Sequence, residues 1–233
     1  MAVRQVYGCV LLMMRKITAI EAQKNNPQRV NIHMDGEFAF GLTRMVAAWL
    51  QVGQTLTEEK ISALQVEDSQ ETAYQQALKF LSYRPRSLEE IRKNLRKHKV
   101  PQEVIESTLE RLVRNGYASD TQFAKTWVEN RNTFRPRSRR ALLMELRQKG
   151  LSDEVIQGAL DENMDDEILA YQAGSRQAQK MTSLDWPDFR RRLGGFLARR
   201  GFSYSTITPL LNRIWGDIHP GKSGDHSINE ENI

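Results

Sequence analysis

Arginine is the residue type whose placement in this sequence could do chemistry. Arg84-Pro85-Arg86-Ser87 occurs again, letter for letter, as Arg135-Pro136-Arg137-Ser138. A basic segment follows each: Arg92, Lys93, Arg96, Lys97 and Lys99 after the first, Arg139, Arg140, Arg147 and Lys149 after the second. A third carries Arg190, Arg191, Arg192, Arg199 and Arg200. Only Glu89 and Glu90, then Glu145, then Asp188 oppose them. Fixed cations so arranged can meet phosphates or the carboxylates of an acidic partner. The segments that follow run the other way, with Glu103, Glu106 and Glu110 and then an acidic run over 153–167. In a repeat array, equivalent positions lie along one surface. The expected partner-binding residues are therefore one basic stripe: Arg92, Lys93, Arg96, Lys97, Arg139, Arg140, Arg147, Arg190, Arg191, Arg199 and Arg200. The bland alternative is a solvated surface whose charges pair with the acidic helices beside them.

No other constellation assembles a reactive site. His33, His98, His219 and His226 are scattered, and Cys9 is the single cysteine. Neither a convergent metal set nor an intramolecular disulfide can be built from them. No Gly-x-x-x-x-Gly-Lys-Ser/Thr or Gly-x-Gly-x-x-Gly loop occurs, so a nucleotide site has no support. Asp161, Glu162, Asp165, Asp166 and Glu167 form a run, the usual pattern of a solvated face. Tyr74, Phe80, Tyr83, Tyr117, Phe123 and Trp127 fall at spacings that suit packing better than base stacking. Gly194-Gly195 reads as a close-packing point inside a helix. The expectation is a protein that is not an enzyme and takes no cofactor and no metal.

The arginines must be positioned by repeated elements. Stepping from Arg84 to Arg135 is an interval of 51 residues, and the next step brings Pro187 after Pro136. Ile91, Leu142 and Leu193 keep that phase, as do Leu95, Leu146 and Leu197, and Ile105, Ile156 and Ile207. A fixed period of this size is the mark of tandem structural units. Each unit reads as three helices. The middle one starts after the proline, with Ser87 and Glu90 forming a capping box in the first copy. It ends at Lys99, Gly150 or Gly201, where a left-handed residue suits a helix terminus, so Lys99 should have positive φ. The last begins at Pro101, Ser152 or Ser203. First helices are expected near 69–82, 120–132 and 166–180.

The chain has 233 residues, a net charge of +5 and 39% hydrophobic residues, enough to fill a core. No apolar run approaches the roughly 20 residues of a membrane span, so no membrane association is expected, and cysteine usage fits the cytoplasm. Residues 1–14 read as an uncertain extension. Residues 15–68 read as a small sheet module of three antiparallel strands. In it Val30, Ile32 and Met34 alternate, Asp35-Gly36 forms a hairpin turn, and Phe38 and Phe40 share a face. Short helices follow over 42–50 and 57–64, and the polar stretch Glu67–Gln70 is the candidate boundary. Repeats then occupy 69–119, 120–165 and 166–216, and a disordered tail is expected over 217–233. The fold class is mainly α: three tandem three-helix repeats in an elongated array, preceded by an antiparallel β module.

Gly116-Tyr117-Ala118-Ser119-Asp120-x-x-Phe123-Ala124-x-x-Trp127-Val128-x-x-Arg131 is followed by Glu145-Leu146-Arg147-Gln148-Lys149-Gly150-Leu151 and Ile156-x-x-Ala159-Leu160. This succession resembles the RecX family of bacterial recombinase regulators over roughly 70–215, although Ser138-Arg139 stands where many members carry Gly-Pro. The resemblance implies an all-helical repeat protein without catalysis. Such a protein binds the RecA recombinase filament, lodges in its helical groove, and lowers its ATPase and strand-exchange activity, with direct or indirect contact to DNA. A monomer is expected. The rival reading is a duplex-DNA-binding, helix-turn-helix-like regulator. Its recognition helix would carry Glu103, Glu106 and Glu110, or Asp153 and Glu154, which repel phosphate.

Overall fold

The computed structural model describes residues 14–160 and 165–220. The expected extension, except Met14, and the expected tail from 221 onward lie outside the described residues, as do Cys9, Asp161, Glu162 and His226. The chain forms two compact units, one of residues up to 85 with 91–118, the other of 86–90 with the rest from 119.

In the first unit, alternating apolar residues build an antiparallel sheet in the order β3-β2-β1-β4. Its strands are β1 (Met14–Gln23), β2 (Asn26–Met34), β3 (Glu37–Thr43) and β4 (Thr55–Thr57). Val30, Ile32 and Met34 are buried. Asp35 and Gly36, at φ 53° and 91°, make the tight turn with both central residues left-handed. Three expectations are corrected here. The sheet has a fourth strand, β4, which pairs with β1 from Met14 opposite Thr57. Phe40 is buried whereas Phe38 is exposed, its ring 6.0 Å edge-on from His33. Only Arg44–Ala47 of the expected 42–50 helix is helical (α1).

α2 (Glu58–Leu81) runs unbroken through Glu67–Gln70, where the sequence suggested a boundary. Glu67 is exposed, but Asp68 there and the adjoining Glu71 are not turn formers but buried partners. Asp68 accepts hydrogen bonds from Arg29 Nη2 (2.8 Å) and from the Thr43 amide, and Glu71 accepts from Arg111 Nη1 (2.8 Å). α3 (Leu88–Lys97) and α4 (Gln102–Arg114) complete the first repeat, burying Ile91, Leu95, Ile105, Leu109 and Leu112 with Ala73, Tyr74 and Ala77 of α2. The first turn of α3 belongs to the second unit.

That second unit holds α5 (Asp120–Phe134), α6 (Arg139–Gln148) and α7 (Asp153–Ala159), then α8 (Asp166–Ala178), α9 (Trp186–Ala198) and α10 (Tyr204–Ile218). Side-chain oxygens of Ser119, Ser138, Ser152, Asp165, Asp185 and Ser203 accept from the first free amides of these helices. One core gathers Phe123, Val128, Leu142, Leu146 and Ile156, the other Phe189, Leu193, Leu197, Ile207 and Ile214. Leu95, Leu146 and Leu197 are each 0% exposed, as a shared phase requires. α10 carries the helix past Gly216 to Ile218, overlapping the segment read as tail, because Trp215 packs on Phe189 with ring centroids 4.9 Å apart.

Candidate functional site

The repeated Arg-Pro-Arg-Ser segments lie where one repeat meets the next. In the first joint Ser87 is buried and its hydroxyl donates to the Lys149 carbonyl at the end of α6 (2.7 Å). The same oxygen accepts from Glu90 N (3.2 Å), and Glu90 Oε2 accepts from Ser87 N (3.4 Å), so the capping box is formed. Glu90 Oε1 pairs with Lys149 Nζ at 2.8 Å. Asp120, at the start of α5, accepts from the Leu88 amide (2.8 Å). Gly150 is at φ +81°, and a Cβ there would stand 2.5 Å from Cβ of Glu89.

The second joint repeats the plan 51 residues on. Ser138 N donates to the Arg200 carbonyl (3.1 Å), and Asp166 accepts from Arg139 N (2.8 Å). A Cβ on Gly201, at φ +89°, would lie 2.7 Å from both Ser138 Oγ and Ala141 Cβ. Glycine is needed at both positions twice over, for backbone angle and for clearance. The array's outer ends lack these demands. Lys99 does have positive φ (61°) but belongs to the first copy, with no earlier copy to abut. In the third copy, Phe189 replaces the buried serine and enters the core, and α9 begins at Trp186 under an Asp185 cap.

The expected stripe residues differ in their surroundings. In the first unit Arg92 is half-buried and grips Glu106 through Nε and Nη2 (3.0 and 3.1 Å). The Arg92 hydrogen bond holds the Glu106 carboxyl below its ordinary range. Arg96 donates to Gln102 (3.2 Å), and Lys93 and Lys97 are exposed. In the second unit Arg147 forms a bidentate pair with Asp153 (2.7 and 3.0 Å) and holds that carboxyl below its usual value. Arg139 Nη2 donates to Gln157 (3.0 Å), and Arg191 to Asp188 (2.7 Å). Arg140, Arg190 and Arg199 are exposed with no acidic partner among the described residues. Arg200 is half-buried over the Phe196 ring, 4.4 Å from its centroid, and donates from Nη1 to the Pro136 carbonyl (2.9 Å).

Sequence reasoning missed the group around Glu145. Its Oε2 accepts from Trp127 Nε1 (2.8 Å) and Arg131 Nε (2.9 Å), while Oε1 pairs with Arg137 Nη1 (2.9 Å). The helical spacing of Trp127 and Arg131 was the available signal. Tyr74 and Phe123 are buried, but Tyr83 and Tyr117 are exposed. Gly194 is not a tight packing point, since a Cβ there would only touch Leu211 at an ordinary 3.7 Å, whereas a Cβ on Gly195 would stand 3.3 Å from Arg199 Nη1, the far end of a flexible side chain. Both glycines instead line a groove of about 470 Å³ with Arg190, Arg191 and Tyr204. A neighbouring hollow of about 310 Å³ is lined by Arg140, Ala141, Met144 and Phe202. Ala198 borders both. Among the described residues no cluster of His, Cys, Asp and Glu could hold a metal, and no helix is long and apolar enough to cross a membrane.

Four family models match in chain order. The regulatory protein RecX N-terminal domain covers residues 15–57, and the RecX first, second and third three-helix domains cover 73–112, 119–160 and 165–211. The chain is 33% identical over 205 residues to the regulatory protein RecX of Bacillus pumilus (strain SAFR-032), covering 85% of this chain and 77% of that one. To the regulatory protein RecX of Bacillus subtilis (strain 168) it is 31% identical over 202 residues, covering 85% and 76%. A crystal structure of regulatory protein RecX superposes with a TM-score of 0.64 at 28% identity, covering 84% of this chain and 98% of that one. The crystal structure of RecX from Lactobacillus salivarius shares the fold, with a TM-score of 0.53 at 20% identity over 64% of this chain and 97% of that one.

Proposed function

The chain belongs to the RecX family of regulatory proteins, and on that premise we propose that it regulates the RecA recombinase. It binds the RecA–DNA filament as a monomer in the cytoplasm and lowers the filament's ATPase and strand-exchange activity, with no catalysis of its own. The observation that carries this reading is the exposed, unopposed cation set on the middle helices: Arg140 on α6, with Arg190 and Arg199 on and just after α9. Such positions meet an anionic surface at little cost, because no internal ion pair is surrendered. Arg92, Arg96, Arg139, Arg147 and Arg191, each bonded within its own repeat, and Arg200, bonded across the second joint, contribute more through their fixed orientation. In the first unit Lys93 and Lys97 are exposed cations of α3 that share this role of meeting an anionic surface. Direct duplex reading by the third helices is disfavoured, since Glu103, Glu110 and Glu154 would face phosphate with a like charge.

The test is RecA ATPase activity on single-stranded DNA with the wild-type chain and with Arg140→Glu, Arg190→Glu and Arg199→Glu, circular dichroism serving as the folding control. Inhibition should weaken in each reversal and most in the triple variant. Binding that depends on DNA phosphates should fall steeply with salt, by about 0.7 in log–log slope for each single-strand phosphate neutralised. Pairing with acidic recombinase side chains should give a shallower dependence. Full inhibition by a well-folded triple reversal would move the binding surface to the sheet module or the acidic helices.

A further inference from the structure

We propose that the joint between the second and third repeats is a binding site for a phosphate group, held by Arg135, Arg137 and Arg200. Two equivalent places in the molecule differ in their charge. In the first joint the cation Lys149 is neutralised at 2.8 Å by Glu90. The counterparts one period on are Arg200 and Ala141, so the second joint keeps the cation and has lost the acid.

Arg200 is nonetheless held in place. Its Nη1 donates to the carbonyl of Pro136, the residue between Arg135 and Arg137, which gathers three guanidinium-bearing residues around one peptide unit. Burial, and then the positive charges of Arg137 and Arg135, disfavour the charged form of Arg200, as expected for a half-buried cation beside two others. Among the described residues the carboxylate engaged with this group is Glu145, and both its oxygens are already occupied, by Arg137 on one side and by Arg131 and Trp127 on the other. Arg135 and Arg200 have no carboxylate partner among the described residues. A cluster of planar donor forks suits an oxyanion with several oxygens and more than one negative charge, which favours phosphate over a single carboxylate. Gly201, next along the chain from Arg200, lines the 310 Å³ hollow together with Ala141.

The phosphate can come from a nucleic-acid backbone or from a free polyphosphate, and two probes separate the sources. Binding of the full-length chain is measured by anisotropy with fluorescein-labelled oligothymidylate and by calorimetry with inorganic tripolyphosphate. Arg135→Ala should weaken binding about tenfold, the loss of one charge-assisted hydrogen bond. Ala141→Glu, which installs the first joint's acid, should do the same. Tripolyphosphate bound alone assigns the site to a free polyphosphate, and oligothymidylate bound as well assigns it to a backbone phosphate. Binding of neither probe, or wild-type binding by both folded variants, overturns the proposal. So does equal binding of polyglutamate, which would make the ligand a carboxylate. If Ala141→Glu fails to fold, the exposed Arg135→Ala decides alone. No recombinase is present, and neither variant overlaps the reversals at Arg140, Arg190 and Arg199, so this proposal and the regulatory reading fail separately.

Discussion

The joint built on Ser87 and the joint built on Ser138 share a serine, an aspartate from the next repeat and a glycine, yet differ in charge. Lys149 has Glu90; Arg200 has Ala141. The shared residues are those fixed by geometry. A buried serine hydroxyl or amide must find a partner, and a left-handed backbone pressed against a neighbour admits only glycine. The residues that differ are partly solvated, where an ion pair contributes little to folding and can be exchanged for another use. Packing therefore holds the repeats alike, while charge is what distinguishes them.

The comparison assumes equivalent cores, and the largest effects test that. Leu95→Ala, Leu146→Ala and Leu197→Ala should each cost about 2–5 kcal/mol in denaturant unfolding, the range for a fully buried leucine. One neutral member would break the equivalence of its repeat. Next come the joint glycines. Gly150→Ala and Gly201→Ala should each lose about 2–4 kcal/mol, left-handed strain added to overpacking. Lys99→Gly, at the same backbone geometry without a neighbour, should be neutral or stabilising by up to about 1 kcal/mol. A smaller effect sharpens the charge contrast. A double-mutant cycle on Glu90 and Lys149 should return a coupling of about 1 kcal/mol that declines with added salt. The same cycle on Ala141→Glu and Arg200→Ala, run as a gain of contact, should recover a similar coupling in the second joint. Smallest of all, Arg140→Glu, Arg190→Glu and Arg199→Glu should shift stability by no more than about 0.5 kcal/mol, as solvated side chains do. A larger loss in any of them would mean an internal partner.

Much of this was legible in the letters. The period, the capping serines, the positive φ of Lys99 and the buried leucines follow from spacing and residue type alone. Strand β4 was not, because three residues, Thr55–Thr57, are too short to establish an alternation. The continuity of α2 was hidden because Glu67–Gln70 looks like a solvated turn. Only the fold brings Arg29 to Asp68 and Arg111 to Glu71 and makes burial of those acids tolerable. The arginines were found by counting, but counting could not sort them. Arg92 and Arg147 are satisfied within their own repeats, whereas Arg140 and Arg190 are not, and that distinction depends on side-chain geometry.

The head-to-tail form of the joints has one more consequence. An interface in which the front of one unit fits the back of the next has no inherent stopping point, and in separate molecules such a fit grows into fibres. Here the two end copies depart from the joint pattern, with a lysine at 99 where the other copies have glycine and a phenylalanine at 189 where the other copies have serine. Only the middle copy carries both a front and a back. A second copy of residues 120–170 spliced in after the first would find matching surfaces at every seam, and the chain would gain a rung. Copying the first or third repeat would leave one seam unmatched. The two end units thus differ from the middle one at the very residues that meet a neighbour.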